Sequence, residues 1–260
     1  MMRALWTAGS GMKAQQLNID IISHNLSNVN TNGFKKNRAE FQDLIYETIR
    51  EAGIQQGNTL TPVGLQVGHG VRPAATQRIF TPGSLHETGN PLDIAIEGKG
   101  FFMVDMPDES TAYTRDGSFK LDSEGYLVTT DGYRISGDIS VSPDAADIAV
   151  SADGIVSYLE DGNWETSGEI TLAAFANPAG LEAQGRNLYR ETEAVGEVTT
   201  AIIPGEDSTG VLASGYLELS NVQAVEEMIN MIVAQRAYEL NSKAIQTSDE
   251  MLGMANNLKR

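Results

Sequence analysis

The chain has no cysteine among its 260 residues. This absence excludes disulfide bonds, thiolate nucleophiles and thiolate zinc sites. Histidine is also scarce, and no two of His24, His69 and His86 have the spacing of metal ligands. No run of 18 apolar residues occurs, so the sequence predicts no transmembrane helix. The apolar stretch at the N-terminus is too short for a secretory signal peptide, so we expect no cleaved signal.

Basic residues are few: 18 lysines and arginines face 35 acidic residues, which gives a net charge of −17. The imbalance lies in residues 39–220, which hold 9 basic and 29 acidic groups. Affinity for nucleic acid comes from lysine and arginine, so this composition excludes a nucleic-acid partner. We interpret the acidic middle as a solvated surface.

An amphipathic helix is predicted near the N-terminus. Its apolar positions alternate in steps of three and four, which is a heptad pattern and favours packing against a partner helix. Gly9 and Gly11 lower its intrinsic stability by about 1 kcal/mol each, so we expect it to depend on packing partners. Gly33 is expected to end the segment. The seam runs through Leu5, Ala8, Met12, Gln15, Ile19, Ile22, Leu26 and Val29.

A second amphipathic helix is predicted over about residues 221–258, with Ser220 and Gln223 as a capping box at its start. Its apolar stripe has a period of about 3.6 residues, and a second apolar row lies beside it. One partner helix would not cover both rows, so we expect several neighbours. The stripe includes Val225, Ile229, Val233, Leu240, Met251 and Leu258, and the second row includes Met228, Ile232, Tyr238 and Leu252.

The middle of the chain is predicted to be all-β, because short apolar runs alternate with Asp-Gly turns. The predicted fold class is α+β: long N- and C-terminal helices form a coiled-coil domain, joined through an extended linking loop to an all-β middle domain. The predicted boundaries are 1–33 for the N-terminal helix, 34–75 for an extended loop or hairpin, 76–219 for the acidic all-β domain, and 220–260 for the C-terminal helix.

No motif in the sequence indicates catalysis. Gly98-Lys99-Gly100 lacks the third glycine and following helix of a phosphate-binding loop, and the Asp-Gly turns lack the spacing of a calcium loop. We therefore predict no catalytic residue, no cofactor, no metal and no enzymatic activity. Paired carboxylates of a glycoside hydrolase stay open as an alternative, since the middle holds many acids and no pair stands out.

The two amphipathic ends must pack on each other or on copies of the chain, because monomers rarely expose large apolar patches. Heterologous contacts between copies give a helical filament when the rotation does not close. We predict that the assembly interface contains Leu5, Met12, Ile19, Ile22, Leu26, Val29, Val225, Ile229, Val233, Leu240, Met251 and Leu252.

Four segments carry a resemblance to a known family. Residues 23–41 read SHNLSNVNTNGFKKNRAEF, and three further matches lie at 92–104, 113–119 and 220–252. In order and spacing they resemble the signatures of bacterial flagellar rod and hook proteins, and the segment 64–73 is most similar to the distal rod branch. The signature residues are Asn25, Asn28, Thr31, Gly33, Phe34, Lys35, Gly98, Gly100, Phe101, Phe102, Gln235, Arg236, Tyr238 and Asn241.

The resemblance implies a structural subunit of the distal rod, assembled as a stiff tube that transmits torque across the periplasm. It implies export through the flagellar type III apparatus without signal cleavage, terminal helices lining the inner tube, and a segment at about 45–65 that sets stiffness. The implied partners are copies of the chain, other axial proteins, the surrounding ring proteins and the export apparatus, with no membrane insertion. A proximal rod or hook subunit, and a cell-wall hydrolase, are the alternatives.

Overall fold

The computed structural model describes residues 2–52, 55–56, 59–60, 63–137, 139–143, 145–206 and 209–257. The chain forms two compact units. The first comprises Met1–Ser27, Asn37–Gln77 and Gln223–Arg260, and the second comprises Asn28–Lys36 and Arg78–Val222. Leu258 of the predicted apolar stripe lies outside the described residues. Within the described part, neither helix has the length and apolarity that crossing a membrane requires.

Two helices dominate the first unit: α1 spans Met2–Ser27 and α2 spans Ala224–Asn257, and they pack along each other. Between them in sequence lie antiparallel pairs of strands. β1 pairs with β6, β2 with β5, and β3 with β4. The strands are β1 (Asn37–Asp43), β2 (Tyr46–Arg50), β3 (Gln55–Gln56), β4 (Thr59–Leu60), β5 (Leu65–Gly68) and β6 (Val71–Arg78).

The prediction that the terminal helices form a coiled-coil domain is wrong. The buried residues of α2 are Glu227, Ala234 and Ser248. Their spacing is that of a heptad, but small and polar side chains do not supply the large apolar knobs that a coiled coil needs. Of the predicted seam of α1, only Ala8 and Ile22 are buried. The large apolar residues of the predicted stripe of α2 are exposed in the subunit, so this stripe is not what packs against α1.

The linking segment is not an extended loop, because its described residues form the strands just given. Their antiparallel pairing corresponds to the other form predicted for 34–75, a hairpin. The prediction relied on the glycines and prolines of this segment. Gly68 and Gly70 instead mark the close of β5 and the turn before β6, and Gly70 has φ +115°. A Cβ at Gly70 would lie 2.1 Å from Oγ of Ser10, so glycine is required where this turn meets α1.

The start of α2 differs from the predicted capping box as well. The helix begins at Ala224, and the amide of Glu227 donates to the carbonyl oxygen of Gln223 at 3.0 Å. Ser220 lies earlier, in the second unit, where its hydroxyl accepts from the amide of Val222 at 3.2 Å. The serine therefore stabilises a turn before the helix and not the first turn of the helix itself.

The second unit is built from antiparallel strands. A nine-stranded sheet is centred on β9, which pairs with β10 along one edge and with β13 and β17 along the other. Strands β14, β15 and β16 form a separate sheet, while β8 pairs with β21 and β7 with β22. The first seven strands are β7 (Leu85–Glu87), β8 (Ile94–Glu97), β9 (Phe101–Asp105), β10 (Thr111–Thr114), β11 (Lys120–Leu121), β12 (Leu127–Val128) and β13 (Arg134–Ile135).

The remaining strands of this unit belong to the two sheets and to the pairs with β7 and β8. Two short 3₁₀ turns, Pro178–Gly180 and Glu193–Val195, flank β18 and β19. The strands are β14 (Asp147–Val150), β15 (Ile155–Glu160), β16 (Asn163–Glu169), β17 (Leu172–Phe175), β18 (Glu182–Gly185), β19 (Leu188–Arg190), β20 (Val198–Ile202), β21 (Val211–Ser214) and β22 (Tyr216–Glu218).

Alternating side chains of β9 supply two hydrophobic cores in this unit. Phe102 packs in the larger core, with its ring 5.0 Å from that of Phe119. Phe101 packs in the second core against Phe175, at a ring distance of 5.2 Å. The period-two alternation of a strand explains this division, since neighbouring residues face opposite sides of the sheet.

Gly117 gives a test of how closely the strands of the second unit approach one another. A Cβ at this position would lie 1.7 Å from the carbonyl oxygen of Ile94. The amide of Ile94 donates to the carbonyl oxygen of Gly117 at 3.0 Å, which holds the two segments together. We expect Gly117→Ala to lower the free energy of unfolding by about 3 kcal/mol or more, measured by urea denaturation of the full chain.

The matched control is Gly9→Ala on α1, where nothing lies within 4 Å of the added methyl. Alanine favours the helix over glycine by about 1 kcal/mol, so this variant should be neutral or more stable. Equal destabilisation by the two changes would contradict the close approach at Gly117.

Candidate assembly interface

The large apolar side chains of α2 form an exposed face. Val225 and Leu240 each expose 67% of their surface, and Ile229 and Val233 expose more than half of theirs. Met251, also predicted for the interface, is exposed to 42%, whereas Leu252 is half-buried. Other exposed apolar residues adjoin this set. We call the whole the α2 apolar face, defined by Val225, Met228, Ile229, Ile232, Val233, Leu240 and Met251.

The predicted interface residues of α1 lie in a different setting. Ile22 is buried in the first unit, at 4% exposure. Its neighbours in the predicted seam are half-buried: Leu5, Met12, Ile19, Leu26 and Val29. The structure therefore does not bring the α1 seam and the α2 apolar face together within one chain. The role of these residues in assembly stays a prediction.

Small residues allow α1 and α2 to approach closely. A Cβ at Gly11 would lie 2.9 Å from Nδ2 of Asn241, a signature residue that is half-buried on α2. Gly11 weakens the isolated helix, and the structure supplies the reason for its presence. The other signature residues of α2, Gln235, Arg236 and Tyr238, are exposed.

Asn25 fastens the end of α1 to the strand that follows. Its Nδ2 donates to the carbonyl oxygen of Asn37 at 2.8 Å, and its Oδ1 accepts from the Asn37 amide at 2.9 Å. Nδ2 also contacts Oε2 of Glu227 on α2 at 3.3 Å, and both side chains are buried. An asparagine presents a donor and an acceptor side by side, so it satisfies both backbone groups of Asn37.

A buried charge cluster lies inside the second unit. We call Lys35, Arg115 and Glu218 the charge cluster; none of these side chains exposes more than 3% of its surface. Glu218 accepts from Nζ of Lys35 through Oε1 and from Arg115 at 3.2 Å through Oε2. The amide of Gly83 donates to the same carboxylate at 2.8 Å. One carboxylate thus pairs with two cations that water does not reach, and the charge cluster keeps one positive charge in excess.

Backbone carbonyls accept further hydrogen bonds from the two cations. Nζ of Lys35 donates to Thr81 at 2.9 Å, and Arg115 donates to Gly98 at 2.7 Å and to Ile96 at 3.4 Å. Burial lowers the pKa of Lys35 and of Arg115, and Glu218 opposes both shifts by stabilising the charged forms. The cluster therefore joins the segment after α1 to β8, β10 and β22 by charge-assisted hydrogen bonds.

The remaining signature residues shape the backbone around this cluster. Gly33 has φ +66°, and a Cβ there would lie 2.7 Å from the backbone of Arg115. Thr31 bonds to Asn28 through both amide and hydroxyl, and the amide of Phe34 donates to Thr31 at 3.3 Å. Gly98 and Gly100 have φ values of +130° and +134° beside β9. These glycines permit backbone conformations that other residues rarely adopt.

Sequence reasoning missed Glu218, Arg115, Asn221 and Glu227 as site residues. Asn221 links two segments of the chain by hydrogen bonds. Its Oδ1 accepts from the amide of Lys36 at 2.8 Å, and its Nδ2 donates to the carbonyl oxygen of Ile79 at the same distance. Arg115, Asn221 and Glu227 fall within the matched signature segments, which is the signal that was present. Glu218 follows an apolar run, and nothing in that pattern indicated a buried carboxylate.

The site has the features of a structural junction. Among the residues that the structure describes, no group of three or more His, Cys, Asp or Glu is placed to hold a metal ion. Apart from Nε of Arg115, the polar groups of the charge cluster are engaged with one another and with backbone carbonyls, so the arrangement positions chain segments.

Comparisons with known proteins cover nearly the whole chain. Family models match at residues 5–35 (flagella basal body rod protein), 95–158 (flagellar hook protein FlgE/F/G D1 domain) and 213–258 (flagellar basal body rod FlgEFG protein C-terminal). The flagellar basal-body rod protein FlgG of Borreliella burgdorferi is 56% identical over 265 residues and covers 100% of both chains.

The chain belongs to the FlgG family of flagellar basal-body rod proteins. The FlgG of Bacillus subtilis is 43% identical, whereas the flagellar hook-basal body complex protein FlhP of the same bacterium is 29% identical; each covers 100% of both chains. The higher identity favours the rod member over other branches. The predicted resemblance is confirmed, and the chain is a structural subunit of the flagellar basal-body rod.

The charge cluster is tested by Glu218→Gln in the full-length FlgG-family chain. This change keeps the shape of the side chain but leaves two buried cations without a counter-charge. Removing one partner of a buried ion pair costs about 3–5 kcal/mol, so we expect a loss of that size in urea denaturation.

The control for this variant is Glu124→Gln. Glu124 pairs with Arg134 at 2.8 Å on the exposed surface of the same unit. An exposed pair contributes about 1 kcal/mol or less, so this variant should unfold almost as the parent does. If the two changes cost the same, the charge cluster does not carry the stability assigned to it.

Proposed function

We propose that this FlgG-family chain self-assembles through its terminal helices into the stiff helical tube of the distal rod, which transmits torque to the hook. The observation that carries the proposal is the α2 apolar face, a long row of large exposed side chains that α1 leaves uncovered. Such a patch marks an interaction surface on a soluble protein. Copies of the chain are its proposed occupants.

The contact between α1 and α2 supports this proposal, because it leaves the large apolar side chains of α2 exposed. The buried α2 residues are Glu227, Ala234 and Ser248, so the intrachain contact uses small and polar groups. The apolar side chains with the largest burial energies, such as Ile229 and Leu240, remain for partners. Burying one such side chain is worth about 1.5–3 kcal/mol, so several together would support a stable polymer.

The proposed partners beyond copies of the chain are other axial proteins of the flagellum, the surrounding ring proteins and the type III export apparatus. The proposed location is the rod in the periplasm, reached without a cleaved signal. An α1 that depends on packing partners suits a chain exported in an unfolded form.

Leu240→Asp tests assembly through the α2 apolar face. Leu240 is exposed, so an aspartate there should leave the subunit folded, but in the polymer it would bury an unpaired carboxylate. Losing about 3 kcal/mol per contact raises the critical concentration about 100-fold. Electron microscopy of purified chain at rising concentration, with sedimentation of polymers, gives the measurement.

Asn230→Asp is the matched control, because it adds one negative charge at an exposed position about 140° around α2 from Val225, outside the apolar face. It should assemble as the parent does. Normal assembly of Leu240→Asp would refute the role of this face, and a parent chain that forms no polymer at any concentration would refute the proposed function.

The segment 45–65 is proposed to set the stiffness of the polymer. Residues 53, 54, 57, 58, 61 and 62 of this segment lie outside the described residues. Its described part, the pair β2–β5, is tied to α1 by Glu47, whose carboxylate oxygens lie 2.5 Å and 2.6 Å from a guanidinium nitrogen of Arg3. Oγ of Ser10 also accepts from the amide of Val71, at 3.3 Å.

Deleting residues 45–65 should therefore give a polymer that still forms but bends. The readout is the curvature of filaments in electron micrographs, compared with the parent. Arg3→Ala serves as the milder variant, because it removes the ion pair and keeps the strands. Filaments that stay as straight as the parent after the deletion would show that stiffness arises elsewhere.

A further inference from the structure

The second unit contains an open aromatic cavity of about 420 Å³. Its apolar wall is formed by Phe80, Phe101 and Phe175, whose rings meet edge to face at 5.2–5.4 Å. Cavities of about 300–1,000 Å³ with aromatic walls are the usual size and character of sites that take a ligand. The size and lining therefore suit a large aromatic group.

Arg115 gives this cavity an unusual wall. Its guanidinium lies 5.3 Å from the centre of the Phe101 ring, and its side chain is buried. Its Nε is the one buried side-chain nitrogen or oxygen without a hydrogen-bond partner in the part of the chain that the structure describes. An aromatic face accepts both an N–H group and a cation, so an aromatic occupant would complement this wall better than an aliphatic one.

Trp164 provides a matching group on the same unit. It lies on β16 next to the turn at residues 161–162, exposes 56% of its surface, and is not part of the cavity wall. It is the only large aromatic side chain exposed in this unit among the described residues. Tryptophan is the side chain most often found as an anchor at the centre of protein interfaces.

Charge around the two features is complementary. Lys99 and Arg115 line the cavity together with one acid, Glu197. Arg115 is also paired with Glu218, but Lys35 shares that carboxylate, so the groups around this wall keep one positive charge in excess. The hairpin that carries Trp164 has acidic residues at its turn, with Glu160, Asp161 and Glu165 close to the tryptophan. An acidic knob entering a more basic cavity gains attraction and is guided in orientation.

We propose that Trp164 of one copy inserts into the aromatic cavity of another copy, and that this contact links the second units of neighbouring subunits. A knob and a hole at different places on one surface form a heterologous contact, which repeats without closing and builds a filament. The proposal rests on the proposed function, because it adds a contact between β-rich units to helix-driven assembly.

Site-directed cross-linking in assembled full-length chain tests this contact. The chain has no cysteine, so Asn163→Cys beside the tryptophan and Ala176→Cys at the cavity are introduced singly and the two variants are mixed. A short bis-maleimide should join them in the polymer, and Trp164→Ala in the first variant should reduce the yield at least tenfold. The control pair joins Asn163→Cys with Ser123→Cys, an exposed position between β11 and β12 that does not line the cavity.

Fluorescence gives a second readout. The chain has two tryptophans, so Trp6→Phe leaves Trp164 alone, and its emission should shift to the blue on polymerisation.

The outcomes separate the two levels of the proposal. Cross-linking at Asn163 and Ala176 but not at the control pair, with a blue shift, supports insertion. Polymers that form without this cross-link or shift overturn the insertion and leave helix-driven assembly standing. Equal cross-linking of the control pair also overturns it. A chain that never polymerises overturns both.

Discussion

The interaction on which the second unit most depends is the carboxylate of Glu218 held between Lys35 and Arg115. A carboxylate and two cations away from water are unfavourable unless each is paired and hydrogen-bonded. Here Lys35 and Arg115 reach backbone carbonyls as well as the carboxylate, and Gly83 donates to the same anion. Removing Glu218 would leave two buried cations without a counter-charge, so the arrangement depends on this one carboxylate.

This cluster is placed where the chain enters and leaves the second unit. Lys35 follows α1 in sequence, and Glu218 ends the strand that precedes α2. The two segments also bond directly, since the amide of Gly33 donates to the Glu218 carbonyl at 2.8 Å. Within the first unit, Asn25 and Glu227 meet in the same way. Polar contacts with fixed geometry thus join residues about 200 positions apart, which apolar packing alone would leave less specific.

In the helical unit, small and polar side chains of α2 are buried and large apolar side chains are exposed. Between α1 and α2, small groups such as Gly11 and Ala234 let the helices approach closely. The large side chains of the α2 apolar face stay exposed in the subunit. In the proposed polymer partners bury this face, so folding of the helical unit and assembly would be linked by mass action.

Local patterns in the sequence predicted the elements well, because periodicity and turn chemistry are local. The helix at about 221–258, the strand near Phe101 and the Asp161-Gly162 turn all follow from neighbouring residues. Which side of α2 packs against α1 could not be predicted that way. The large apolar side chains predicted a packing surface, but periodicity does not say whether the partner belongs to the same chain or to another. The structure shows that small and polar side chains are the buried ones, and the large apolar ones are exposed.

The charge cluster escaped prediction for a different reason. Lys35, Arg115 and Glu218 are 80 and 103 residues apart along the chain, and each resembles an ordinary surface charge in its local sequence. Lys35 was noted only as a signature residue of the family resemblance, and no local pattern marked it as buried. The glycines between 37 and 78 suggested irregular backbone in the sequence. In the structure Gly70, with its positive φ, lies at a turn between strands.

The acidity of residues 39–220 limits which surfaces can join. With 29 acidic and 9 basic groups, two copies of this region repel each other once their surfaces come within about 8 Å, because charges farther apart are largely screened at physiological ionic strength. Non-specific association is therefore suppressed, and a productive contact must gain more than this repulsion costs. Apolar helices gain it through buried area. A contact between β-rich units needs a local exception to the prevailing charge, and the wall that contains Lys99 and Arg115 is such an exception. Repulsion over the general surface and attraction at a few places together favour one geometry of assembly, which a stiff shaft requires.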